Sequence, residues 1–161
     1  MDRLLNGYRR FRRDRWPERR QQFETLADTG QRPRALVVSC ADSRVDPGMI
    51  FDAGPGELFV VRNVANLVPP FAPDKAYHGT SAALEFAVRI LEVPDILVMG
   101  HAMCGGVRAL LEGAPAGASD LSLRGSGSRQ RPAIGRWCGR ISSTDNFAVN
   151  RKRSGCHWRT C

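Results

Sequence analysis

The chain has no apolar run approaching the roughly 20 residues of a membrane span, and its arginine-rich start lacks the roughly 7–15-residue apolar stretch of a secretory signal. It also lacks an even, regularly spaced cysteine set. Cys40, Cys104, Cys138, Cys156 and Cys161 form an odd group, which speaks against a disulfide framework and for thiols kept reduced. These absences point to a soluble, cytoplasmic protein with no membrane role, in which metal binding is the natural use of a cysteine. There is no internal repeat, and the one low-complexity hint, Arg124-Gly125-Ser126-Gly127-Ser128-Arg129, has the composition of a loop.

Acidic residues are missing from one region only. Of the 24 basic and 16 acidic side chains, nine and one fall in residues 121–161, where Asp145 is the sole acid. Residues 1–120 are therefore balanced, and the tail accounts for the whole net charge of +8. A cationic tail attracts polyanions without specificity. With no interleaved aromatic ladder and no recognisable nucleic-acid module, specific nucleic-acid binding is not expected.

At 161 residues the chain fits one domain. Leu4, Leu5, Tyr8 and Phe11 near helical spacing, with Pro17 interrupting or restarting the pattern, predict one or two amphipathic helices over about residues 2–27. Trp16 and Phe23 add apolar surface, so this arm is expected to pack on the body or on a partner subunit. Three short runs read as buried strands: 35–39 leading into Cys40, 58–61 after Gly54-Pro55-Gly56, and 96–99 leading into Gly100-His101. Leu84, Ala87, Val88 and Leu91 predict a helix between the second and third strands, with Thr80 or Ser81 as its cap. Another helix opens at Gly105-Gly106 and ends near Gly113. The alternation predicts an α/β fold, a mostly parallel β-sheet flanked by helices, with an N-terminal helical arm over residues 1–28 of a 1–120 domain. Chemistry in such sheets gathers beyond the carboxyl ends of the strands, where Cys40 and His101 are both expected.

Cys40-Ala41-Asp42-Ser43-Arg44 and His101-Ala102-Met103-Cys104 together offer two thiolates and an imidazole. Taken singly, each is more commonly a small core residue or a satisfied histidine. As a set they suit zinc, which takes nitrogen and sulfur ligands in tetrahedral array and keeps one position open in catalytic sites.

The stretches CADSRVDP at 40–47, ELFVVRNVANLVPP at 57–70, HGTSAALEFAV at 78–88 and GHAMCGGV at 100–107 resemble the beta-carbonic anhydrase family over roughly residues 30–118. The resemblance implies a zinc lyase that reversibly hydrates carbon dioxide to bicarbonate and a proton, active as a homodimer or higher homo-oligomer. It assigns Cys40, His101 and Cys104 as permanent zinc ligands, with Asp42 either binding zinc or pairing with Arg44, and Asp42 and Arg44 as the catalytic pair. It further implies that Gln31, Phe59, Val64, Phe86 and the Gly105 N–H surround substrate; Phe86 stands where a plant-like branch carries tyrosine. Val37 stands where a bicarbonate-regulated branch carries tryptophan, so that regulation is not expected. None of the three histidines reads as a proton shuttle. Hydrolysis of carbonyl sulfide or carbon disulfide on the same scaffold, or an inactive zinc-binding chain, are the alternatives.

The motif likeness fades near Ser119-Asp120. Eight of the tail's nine basic residues are arginine, and Trp137, Cys138, Cys156, Trp158 and Cys161 follow no helical or strand period. Such a composition fits a shifted reading frame in a GC-rich gene or a divergent extension. Residues 121–161 are accordingly expected to be poorly ordered, leaving the sheet without an edge strand.

Overall fold

A computed structural model describes residues 1–69 and 78–112, together with the backbone of residues 147–153. Helix α1 (Asp2–Arg10) passes through one π-helical turn at Phe11–Arg15 into α2 (Trp16–Thr29). Pro17 stands in the first turn of α2, where its missing N–H costs nothing, so it starts a helix instead of breaking one. Trp16 packs its ring against Phe11 and Phe23, at 6.3 and 5.3 Å between centroids, and the Arg12 guanidinium lies 5.4 Å from the Trp16 ring. Neither helix buries a residue in this chain, and Leu4, Leu5 and Tyr8 stay exposed. Helix α2 touches the body at one turn. There Gln22 donates to the Pro55 carbonyl at 3.3 Å, and Leu26 sits where any Cβ on Gly56 would meet it at 2.6 Å.

The sheet contains β1 (Ala35–Cys40), β2 (Leu58–Asn63), β3 (Asp95–His101) and β4 (Phe147–Arg153), in the order β2-β1-β3-β4. The first three are parallel, as their β-branched runs predict, with β1 between the other two and all six of its residues buried; β2, expected as a buried strand, is an edge strand with no fully buried residue and Val60 exposed. Cys40 and His101 are the last residues of β1 and β3, which run one and two residues beyond their expected ends. Side chains alternate between two cores. Leu36, Val38, Ile96 and Val98 face helix α4 (Gly79–Arg89) through Ala87, whereas Val37, Met99, Val45 and Ala65 pack with both thiols on the other face. Each fully buried valine or leucine contributes about 1.5–3 kcal/mol of transfer free energy. The α4 cap differs from expectation: the helix begins at Gly79 with His78 before it, and Thr80 instead accepts a hydrogen bond from Asn63 Nδ2 at 3.2 Å.

Strand β4 overturns the expectation of a missing edge strand. It pairs antiparallel with β3 from Phe147–His101 to Arg153–Asp95. Its sequence, Phe-Ala-Val-Asn-Arg-Lys-Arg, has too short an apolar run to reveal a strand by period. Main-chain hydrogen bonding to a buried neighbour does not need that period, and charge suits an edge. Residues 121–146 and 154–161, to which the expectation of poor order also applied, lie outside the described residues. Among the described residues no helix is long and apolar enough to cross a membrane.

Candidate metal centre

Parallel pairing brings the carboxyl ends of β1 and β3 together, which delivers Cys40 and His101 side by side although 60 residues separate them in sequence. The third donor follows from the turn after β3. Met103 takes a left-handed φ of 53°, and helix α5 (Gly105–Glu112) begins directly after Cys104. The Arg108 N–H returns to the Cys104 carbonyl at 3.0 Å. Gly106 permits this close approach, since a Cβ there would stand 2.6 Å from Val64 Cγ1 and 3.0 Å from Ala65. Ala65 and Asn66 are themselves left-handed, with φ of 67° and 45°. Left-handed backbone is unfavourable for non-glycine residues, and its concentration around one site is typical of functional loops.

The donor atoms of Cys40, His101 and Cys104 lie within 4.8 Å of one another, and all three residues are buried. The two sulfurs are 3.7 Å apart and the cysteines are free. Bonds of about 2.3 Å from one zinc to two thiolates at the tetrahedral angle put the sulfurs about 3.8 Å apart, so the observed spacing fits that ion. His101 Nδ1 lies 3.0 Å from the Ala102 carbonyl oxygen, which can only accept. Nδ1 therefore carries the proton, and the lone pair is on Nε2. That atom is buried and has no hydrogen-bond partner. An orphaned imidazole nitrogen is costly unless something completes it, and a cation between two thiolates does so. Burial pushes the Cys104 thiol up and the neighbouring Cys40 thiol adds to this, against the N–H groups of Val107 and Gly106, which favour the thiolate.

Asp42 stands at the rim, with Oδ2 3.8 Å from His101 Nε2. Arg44 grips it through three bonds: Nε to Oδ1 at 2.9 Å, Nη2 to Oδ2 at 2.8 Å, and the backbone N–H to Oδ1 at 2.9 Å. The Arg44 guanidinium, and then its N–H, hold the Asp42 carboxyl far below the usual carboxylate range. In this arrangement Asp42 is paired with Arg44.

The remaining residues singled out from the sequence are less closely gathered. Phe59 and Phe86 are in contact, with ring centroids 5.8 Å apart, while Val64 and Phe86 keep 51% and 44% of their surfaces exposed. Gly105 opens α5 with free space where a Cβ would go. Gln31 is exposed in the segment before β1, and no hydrogen bond links it to the donor set. Sequence reasoning missed Arg62, which donates to the carbonyls of Cys40 and Asp42, and Asp46, which caps the short helix α3 (Pro47–Ile50) by accepting the Met49 N–H. A charge closing an otherwise apolar strand and an Asp-Pro pair were the available signals.

A family profile described as carbonic anhydrase matches residues 35–153, which carries the match through β4 and past the stretch where motifs were legible. A carbonic anhydrase of Pseudomonas aeruginosa is 47% identical over 107 residues, covering 66% of this chain and 47% of the relative. Among solved structures, the beta-carbonic anhydrase CcaA superposes with a TM-score of 0.63 at 43% identity, over 70% of this chain and 53% of that one. One of two tetrameric beta-carbonic anhydrases from Sordaria macrospora gives 0.62 at 33% identity, over 76% and 59%. The chain spans between 40% and 47% of the length of three curated carbonic anhydrases it matches.

Proposed function

The chain belongs to the beta-carbonic anhydrase family, and from that premise we propose that it catalyses the reversible hydration of carbon dioxide to bicarbonate and a proton. The family's cofactor is zinc, and Cys40, His101 and Cys104 are the donors able to hold it. The observation that carries the reading is the pair of sulfurs at tetrahedral spacing beside an orphaned imidazole nitrogen. When bound, zinc supplies the Lewis acidity that brings the ionisation of water into the neutral pH range.

The chain's own residues supply position and environment. Asp42, kept ionised and oriented by Arg44, accepts a hydrogen bond from the attacking water and turns its lone pair toward the carbon. This is positioning more than proton abstraction. Arg44 also holds the carboxylate away from the donor set. We assign Phe59, Phe86 and Val64 as the apolar side chains that meet a nonpolar linear substrate; Phe59 and Phe86 lie on the α4 face of their own sheet, opposite the thiols, so they would serve a site across a subunit interface. The Gly105 N–H, at the start of α5, offers a donor to a bicarbonate oxygen. The Gln31 amide offers a second.

The exposure of Val64 and Phe86, together with the uncovered Leu4, Leu5 and Tyr8 of α1, supports a homodimer or higher homo-oligomer as the active form. Such an assembly agrees with the tetrameric relatives. We read the protein as cytoplasmic and as having no specific nucleic-acid partner. Stopped-flow carbon dioxide hydration by zinc-loaded protein is the test, with carbonyl sulfide and carbon disulfide hydrolysis run beside it. Hydration that depends on zinc is expected. One zinc per chain without hydration contradicts the proposal, and turnover of the sulfur substrates alone would move the activity to them.

A further inference from the structure

Arg62 has no role in the proposal above, yet its guanidinium reaches from the edge strand β2 into the loop that follows β1. Register pairs Arg62 with Ser39, one residue before the first thiol. From there Nε donates to the Cys40 carbonyl at 3.1 Å, and Nη2 to the Asp42 carbonyl at 2.7 Å. Nη1 meets Asp46 Oδ2 at 3.2 Å, while the other oxygen of Asp46 holds the N-terminus of α3. One planar group thus ties together the main chain at Cys40, the main chain at Asp42 and the Asp46 carboxylate that caps the helix ending the loop. A planar fork imposes directions on three acceptors at once, which an ammonium cannot do.

Packing does little of this work. Ala41, Ser43 and Arg44 are exposed, and Val45 is the only fully buried side chain between Cys40 and Pro47. Arg44 fixes the Asp42 carboxylate to its own loop, so it cannot say where that loop lies relative to the sheet. Arg62 can, because it belongs to the sheet.

We propose that Arg62 is a positioning residue that sets the Cys40 thiolate and the Asp42 carboxylate in register with each other by holding both their carbonyls and Asp46. The inference rests on the zinc hydratase reading and adds to it a residue that touches neither metal nor substrate. Displacement of a reacting group by about 1 Å can cost on the order of 100-fold in rate, so the effect is kinetic before it is structural.

The test uses Arg62→Met and Arg62→Lys, each alone and in an Asp42→Asn background, with zinc for kinetics and cobalt(II) for spectra and release to a chelator. Arg62→Met is expected to take up one metal per chain and to lose it about tenfold faster, with shifted thiolate-to-cobalt bands. Its kcat falls roughly 10–100-fold with KM within about threefold, and Arg62→Lys lies between it and the wild type. In the Asp42→Asn background, Arg62→Met lowers kcat by a further factor of less than about two, because its action passes through Asp42. A merely structural residue would lower the melting temperature while leaving spectrum, release rate and kcat per bound metal unchanged. That result overturns the proposal, as does a full additional loss on Asp42→Asn. Wild-type protein that loads metal but hydrates no carbon dioxide overturns the parent reading instead, and the spectra and release rates then still decide the role of Arg62.

Discussion

The two loops that bring the donors together are held by different forces. The loop after β1, Ala41–Asp46, is largely exposed and tied by directed polar bonds from Arg44 and Arg62 and by the Asp46 cap. The loop after β3 is held by close packing: His101 and Cys104 are buried, Met103 is left-handed, and Gly106 lies against Val64 and Ala65 with no room for a methyl group. Polar ties can be cut one at a time with the sheet intact. A packed turn fails as a unit, and the contrast predicts which substitutions cost rate and which cost the fold.

The largest effect is expected where both loops meet, at the donors. Cys40→Ser, His101→Ala and Cys104→Ser should each lower zinc affinity at least about 100-fold and abolish hydration, as read by chelator competition and stopped flow. Undiminished zinc in both cysteine variants would show that the metal is held elsewhere.

Next come the polar ties. Asp42→Asn and Arg44→Ala should reduce kcat on the order of 100-fold while zinc content stays near one per chain. Turnover near wild type in both would remove the proposed roles of the pair.

Packing is probed by adjacent glycines. Gly106→Ala should cost about 1–3 kcal/mol of stability and several degrees of melting temperature, because its Cβ meets the Val64 side chain and both the backbone and the buried side chain of Ala65. Gly105→Ala, with open space at its Cβ, should stay within about 0.5 kcal/mol of wild type and retain activity, since its N–H is kept. Equal melting temperatures for the two variants would break the comparison between the loops.

The same contrast explains what could be read from the sequence. Strand β1 was legible because burial on both faces leaves an unbroken run, Ala35-Leu36-Val37-Val38, β2 and β3 because they carry similar short apolar runs, and α4 because it packs one face at helical spacing. The donors were legible because zinc demands particular residue types just where strands end. Strand β4 was not, since an edge strand is specified by its neighbour's free hydrogen bonds and carries charge. Arg62 was missed because a main-chain carbonyl accepts from any suitably placed donor and leaves no pattern near the residues it holds. The left-handed Ala65 and Met103 were equally hidden, as neither residue type announces a positive φ.

X-ray absorption at the zinc edge of the metal-loaded full chain tests the central claim most directly. The account predicts two sulfur ligands at about 2.3 Å with one histidine nitrogen and one further light atom at about 2.0–2.2 Å. A shell of three or four sulfurs, drawing on Cys138, Cys156 or Cys161, or a shell with no sulfur, would contradict it.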